Sequence, residues 1–161
     1  MHKFLVFLLL SICFLMTSCD SKQVFDEYKS VGKSWHKDSI VNFQVKDLDT
    51  LKSYNLFINI RNNSDFNYNN LFLITSMNFP NGKIITDTLE YEMAYPDGKF
   101  MGSGFGEVKE NKLWYKEKVQ FTEEGVYQVD IQQAMRKNGK IDPIEKLEGI
   151  TEVGFRIEKV N

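Results

Sequence analysis

Apolar side chains recur at every second position in a series of short runs between Ile40 and Val160, with polar residues between them. Along Tyr54 to Arg61, Tyr54, Leu56, Ile58 and Ile60 alternate with Asn55, Phe57, Asn59 and Arg61. A period of two places the first set on one face of a strand and the second on the other. Ile40 to Val45 alternates in the same way, as does Leu113 to Phe121, where Leu113, Tyr115, Val119 and Phe121 align and Glu117 interrupts. Val126 to Ile131 aligns Tyr127, Val129 and Ile131, and Ile150 to Val160 aligns Val153, Phe155 and Ile157. Ile84 to Glu92 reads as a further strand. Leu71 to Met77 is apolar on both faces, the pattern of a central strand covered on two sides.

Turn chemistry separates these runs. Pro80-Asn81-Gly82, Pro96-Asp97-Gly98 and Glu123-Glu124-Gly125 each close a strand, Asn62 to Asn70 reads as a loop, and a polar connection containing Asp142-Pro143 precedes the last strand. Gly102-Ser103-Gly104-Phe105-Gly106 is too rich in glycine for the interior of a long strand and predicts a bulge or tight turn. Its flanks are strand-like, which argues against a phosphate-cradling loop, since that device needs a following helix. Eight or so short strands with at most one or two helical turns predict an all-β chain, an antiparallel, jelly-roll-like sandwich forming a single domain over residues 35–161. Residues 19–34 are expected to be a tether with a short helical turn around Phe25 to Tyr28.

The amino terminus follows a different rule. His2 and Lys3 lead into the apolar run Phe4 to Met16, then Thr17, Ser18 and Cys19 and the polar Asp20, Ser21 and Lys22. The run is about 13 residues, within the span of a signal core and short of the roughly 20 needed to cross a bilayer. Residues 1–18 therefore read as a signal peptide. Leu15-Met16-Thr17-Ser18-Cys19 resembles a bacterial lipobox, which makes Cys19 the lipidation site and first residue of the mature chain. At about 0.8 kcal/mol per buried methylene, several acyl chains would hold the protein on a membrane without spanning it. Asp20, Ser21 and Lys22 lack the dense acidic cluster expected of an exported lipoprotein, which favours the periplasmic face of the outer membrane.

Charge and cysteine usage narrow the chemistry. The chain carries 20 basic and 22 acidic residues, a balance that offers no concentrated basic face and excludes nucleic acid as the expected partner. Cys13 leaves with the signal and Cys19 carries lipid, so no thiol remains for a disulfide or a thiolate metal site. After the signal the single histidine is His36, next to Trp35, and a structural or surface role is expected for it. Asp87, Glu90 and Glu92 invite an acid/base reading, yet a solvated edge-strand face explains them better. Asp47 and Asp49 lack the glycine-containing loop of a calcium site. No cofactor, metal or small-molecule ligand is expected, nor an enzyme.

Two further features carry site expectations. Aromatic residues make up 14% of the chain; most should fill the core, while Trp35, Trp114 and Tyr115 are candidates for a binding patch. Asp38-Ser39-Ile40, Asp49-Thr50-Leu51 and Asp87-Thr88-Leu89 resemble an Asp-Ser/Thr-aliphatic acceptor for bacterial O-glycosylation, marking Ser39, Thr50 and Thr88.

Longer strings carry a family resemblance. Trp35-His36-Lys37-Asp38-Ser39, Tyr54 to Asn63, Asn70 to Leu73, Asp87 to Ala94, Gly102 to Gly106 and Gly149 to Lys159 together resemble the gliding motility lipoprotein GldH family of Bacteroidota. The resemblance covers nearly the whole chain. It implies an accessory envelope lipoprotein of the gliding machinery and its associated type IX secretion system, working with other envelope proteins, and supplies no catalytic residues. The competing expectation is a carbohydrate-binding envelope lipoprotein of a glycan-uptake or cell-wall system.

Overall fold

The structure, a computed structural model, describes residues 21–104, 106–137 and 139–160. The signal segment and Cys19 lie outside the described residues. Within them the chain is all β, without a helix, and folds as two four-stranded antiparallel sheets packed face to face. The first sheet runs in the order β1 (Gln23–Ser30), β10 (Ile150–Lys159), β4 (Ser53–Asn62), β7 (Lys109–Gln120). The second runs β3 (Val41–Val45), β8 (Tyr127–Gln133), β5 (Asn70–Asn78), β6 (Ile84–Glu92). A short ribbon of β2 (Ser34–His36) and β9 (Lys146–Glu148) pairs Trp35 with Leu147.

The period-two face of each predicted strand is the face that packs. Leu56, Ile58 and Ile60 of β4 and Val153, Phe155 and Ile157 of β10 meet Leu71 and Leu73 of β5 and Val129 and Ile131 of β8 in one buried cluster. Tyr54, Phe121 and Tyr127 close one end, with Phe121 and Tyr127 edge-to-face at 4.7 Å between centroids. At Gly149 the chain turns with φ +84° so close to Phe66 that a Cβ would lie 2.0 Å from its backbone nitrogen, so only glycine fits.

Three expectations are corrected. The supposed tether is sheet: residues 23–30 form β1 against β10, and no helical turn exists at Phe25 to Tyr28. Directly opposed residues of an antiparallel pair share a face, so Phe25, Glu27 and Lys29, opposite Ile157, Phe155 and Val153, stand on the core side. Two of the three are charged, which erases the apolar alternation a strand normally shows. Lys29 lays its stem across the sandwich edge, its ammonium 5.3 Å from the Phe43 ring centroid and donating to the Asn42 carbonyl. Next, β5 is central in its sheet but covered on one face only, with Phe72 half-buried and Ile74 36% exposed. Lastly, Trp35 is core: it is fully buried, and its indole N–H donates to the Ser39 carbonyl at 2.8 Å. The glycine segment behaves as a turn, with positive φ at Gly102 and Gly104 while Ser103 and Glu110 exchange two backbone hydrogen bonds.

Candidate interaction surfaces

The outward face of the first sheet is built in rows that run across all four strands. Ser30, Glu152, Arg61 and Glu110 form one row; Tyr28, Gly154, Asn59 and Lys112 the next; Asp26, Arg156, Phe57 and Trp114 the third. Arg61 bridges its two neighbours, donating through Nε to Glu110 and through Nη1 to Glu152, both at 2.7 Å, and stacks 4.2 Å above the Tyr28 ring. Tyr28 can lie flat there because Gly154 has no side chain; a Cβ would come within 2.8 Å of the ring. Arg156 holds Asp26 and Glu158 at 2.6 Å each. Lys112 reaches over Phe57, 4.1 Å from its centroid, to Glu158. Phe57 in turn packs on Trp114 at 4.4 Å.

Neighbouring side chains thus cover this face so completely that Phe57 and Asn59 are buried on it, along with Gly154 under the Tyr28 ring. Phe57 is 3% exposed and Asn59 2%, the latter with its side-chain carbonyl unpartnered. The electrostatics follow. Hydrogen bonds to Glu152 and then Glu110 push the Arg61 guanidinium well above its ordinary range. Burial works to raise the Glu158 carboxyl, but hydrogen bonds from Lys112 and Arg156 outweigh it and hold the group below the usual carboxylate range. Burial, reinforced by Glu110, pushes the Tyr28 hydroxyl up to about 12.

The outward face of the second sheet is made differently. Asp130 accepts from the amides of Asn42 at 2.6 Å, Asn78 at 3.0 Å and Gln128 at 3.1 Å. Ser76 and Thr86 share a hydrogen bond of 2.9 Å, and Asn70 donates to Glu90 at 2.8 Å. Phe72, Ile74 and Thr88 line a shallow cavity of about 510 Å³ with Arg136 and Lys137 from the loop after β8. Strands β3, β5, β6 and β8 contain no lysine or arginine, yet they carry Asp87, Glu90, Glu92 and Asp130.

Of the predicted site residues, the structure separates the three aromatics. Trp35 is in the core, Trp114 is 53% exposed on Phe57, and Tyr115 is half-buried between the sheets, donating to Asp87 at 2.8 Å. They do not form one patch. Asp87 also separates from Glu90 and Glu92: it faces inward, where Lys116 at 2.8 Å holds its carboxyl low, while Glu90 and Glu92 face solvent on the edge strand β6. His36 Nδ1 accepts from the Asp38 N–H at 3.2 Å. Asp49 caps a turn, accepting from the Leu51 N–H at 3.0 Å, and no metal-binding cluster occurs among the described residues. Ser39 is exposed in a loop, Thr50 half-buried in a turn, and Thr88 exposed on β6. The Arg61, Arg156 and Lys112 network escaped sequence reasoning; its one signal was Phe57, a lone aromatic at a polar-face position among Asn55, Asn59 and Arg61.

Comparison with known proteins adds the following. The family model for the GldH lipoprotein matches residues 23–157. The chain is 61% identical over 156 residues to a gliding motility lipoprotein GldH homolog of Christiangramia forsetii, covering 97% of this chain and 96% of that protein. It is 57% identical over 152 residues to the gliding motility lipoprotein GldH of Flavobacterium johnsoniae, covering 94% of each. Among solved structures, dimeric latent PorU from Porphyromonas gingivalis aligns at 11% identity and a TM-score of 0.38, over 89% of this chain and 14% of that one, a likeness too low to carry an argument.

Proposed function

Because the chain belongs to the GldH lipoprotein family, we propose that it serves the gliding motility machinery and its associated type IX secretion system as a non-catalytic structural or protein-interaction component. Lipid on Cys19 holds it on the outer membrane, facing the periplasm. The observation that carries this reading is the similarity to two gliding motility lipoproteins along nearly the entire chain. What supports the interaction role is the first sheet's outward face, a rigid mosaic of arginine, aromatic and carboxylate groups of the composition that protein contacts favour.

The test is Cys19→Ala in the native organism. The domain should still fold, leave the membrane fraction and fail to restore spreading to a strain lacking the gene; retention in membranes, or normal spreading, would contradict the anchor. Co-purification of the wild-type chain with gliding or secretion subunits tests the partner class. The glycan-binding reading keeps one observation, the exposed Trp114. Retention on a polysaccharide that Trp114→Ala abolishes, without co-purifying subunits, would favour it. Intact mass of the native protein decides the modification of Ser39, Thr50 and Thr88: a mass of chain plus lipid alone rules it out.

A further inference from the structure

The two sheets end in four edge strands, and three of them are blunted. On β1 the register slips between Gln23 and Phe25, and the charged Glu27 and Lys29 point inward. On β3, only five residues long, the Lys29 ammonium takes the Asn42 carbonyl. On β7 the register slips twice, Lys118 takes a φ of 51°, and the Tyr91 hydroxyl donates to the Trp114 carbonyl at 2.7 Å. These are standard protections against strand addition. Strand β6 is different: its nine residues pair with β5 in unbroken register, without proline or bulge.

The phase of that pairing fixes which backbone groups are free. Phe79 N–H donates to the Lys83 carbonyl and Met93 N–H to the Asn69 carbonyl. Hydrogen-bonded pairs alternate along an antiparallel ladder, so Ile85, Asp87, Leu89 and Tyr91 bond to β5. The N–H and C=O groups of Thr86, Thr88 and Glu90 therefore point away from the sheet. Their side chains lie on the solvent face with Glu92, and no lysine or arginine occurs within β6.

We propose that the free edge of β6 is a docking strand, which adds an extended basic segment of a protein partner, lysine or arginine at alternate positions, as a fifth antiparallel strand. Main-chain hydrogen bonds to Thr86, Thr88 and Glu90 give the affinity, and Glu90 and Glu92 select the cationic side chains. A second copy of the chain is the wrong occupant, because pairing β6 with itself gathers two sets of Glu90 and Glu92 on the solvent face, and β6 supplies no lysine or arginine to lie between them. This inference rests on the interaction role proposed above and names the partner's chemistry.

The experiment uses the lipidated full chain in detergent micelles and a nine-residue peptide alternating lysine and valine, with glutamate replacing lysine as control. The lysine peptide should slow amide exchange at Thr86, Thr88 and Glu90 by about tenfold and leave Glu110 to Trp114 unchanged; the glutamate peptide should change neither region. Thr88→Pro removes an outward N–H alone, a place where an edge strand tolerates proline, so it should abolish the effect while Ile85 and Leu89 stay protected. Unaltered exchange at saturating peptide, or protection that survives in a folded Thr88→Pro chain, would overturn the proposal. Should that variant fail to fold, the double change Glu90→Lys and Glu92→Lys should reverse the preference to the glutamate peptide, and an unchanged preference would overturn it. Subunits that co-purify equally with wild type and Thr88→Pro would sink the docking strand and leave the broader role standing. Subunits that co-purify with neither would sink that role, while the peptide titration still judges the edge.

Discussion

The two sheets share one core and solve the problem of a solvent-facing surface in opposite ways. The first tiles its outward face with arginines, lysines, carboxylates and aromatic rings that bind one another, to the point of burying Phe57 and Asn59 beneath them. The second covers its face with amides and hydroxyls, satisfies its one central acid, Asp130, with neutral donors, and supplies no cation from its strands. The difference teaches where stability and recognition reside. A face whose charges already hold one another offers shape and a few aromatic anchors, whereas a strand with unpaired backbone and unneutralised carboxylates offers directional bonds.

The comparison breaks most sharply at Phe57. If the first sheet's outward face is a packed layer, Phe57→Ala should destabilise the chain by about 3 kcal/mol, as for a core aromatic, measured by urea unfolding. The half-exposed Trp114→Ala should lower it by about 1 kcal/mol. Equal small effects would reduce that face to an ordinary solvated surface. Arg156 comes next: its side chain is 12% exposed between Asp26 and Glu158 at 17% and 13%, so Arg156→Ala leaves two half-buried carboxylates short of a donor and should cost about 2–3 kcal/mol. Arg61, at 35% exposure, is better screened and its loss should cost about 1 kcal/mol.

Much of this was legible in the alternation. Where one face of a strand is apolar and the other polar, as in β4, β8 and β10, the sequence states both the strand and its inward face. It fails where inward positions carry charge. Glu27 and Lys29 occupy inward positions on β1, so an edge strand reads as a tether. It also fails where burial comes from outside the core: Phe72 and Ile74 suggest a second covering layer that does not exist, and Phe57 is buried by side chains from other strands. The outward network of Arg61 and Arg156 joins residues far apart in the chain, and only the strand order brings them together.

Titration sharpens the contrast. Glu158 on the first sheet and Asp87 between the sheets have folded-state values below the ordinary carboxylate range. Their stabilisation is therefore complete above the unfolded value of about 4 and lost as pH falls through the depressed one. Glu158→Gln and Asp87→Asn should each flatten the acid limb of stability against pH. Tyr28 and Tyr91 have values pushed up to about 12, by burial first. The opposite sign applies: stability is complete below about pH 10 and lost as pH rises through the raised value. Tyr91→Phe should flatten the alkaline limb, and phenolate absorbance in the wild type should rise together with unfolding.

The smallest effects belong to the second face, and their smallness is the point. Asp130→Asn keeps one acceptor oxygen where the carboxylate presents Oδ1 to Asn42 and Oδ2 to Asn78, and should cost about 1 kcal/mol through one lost hydrogen bond and weaker, neutral remaining ones. Ser76→Ala breaks one exposed hydroxyl pair with Thr86 and should stay within about 0.5 kcal/mol. Salt separates the two faces further. Raising ionic strength screens the exposed part of the first sheet's ion pairs, so the stability difference between wild type and Arg61→Ala should shrink, while the Ser76→Ala difference should not move. A salt dependence of equal size on both sheets would mean that the charge asymmetry of the strands has no bearing on how either surface is held.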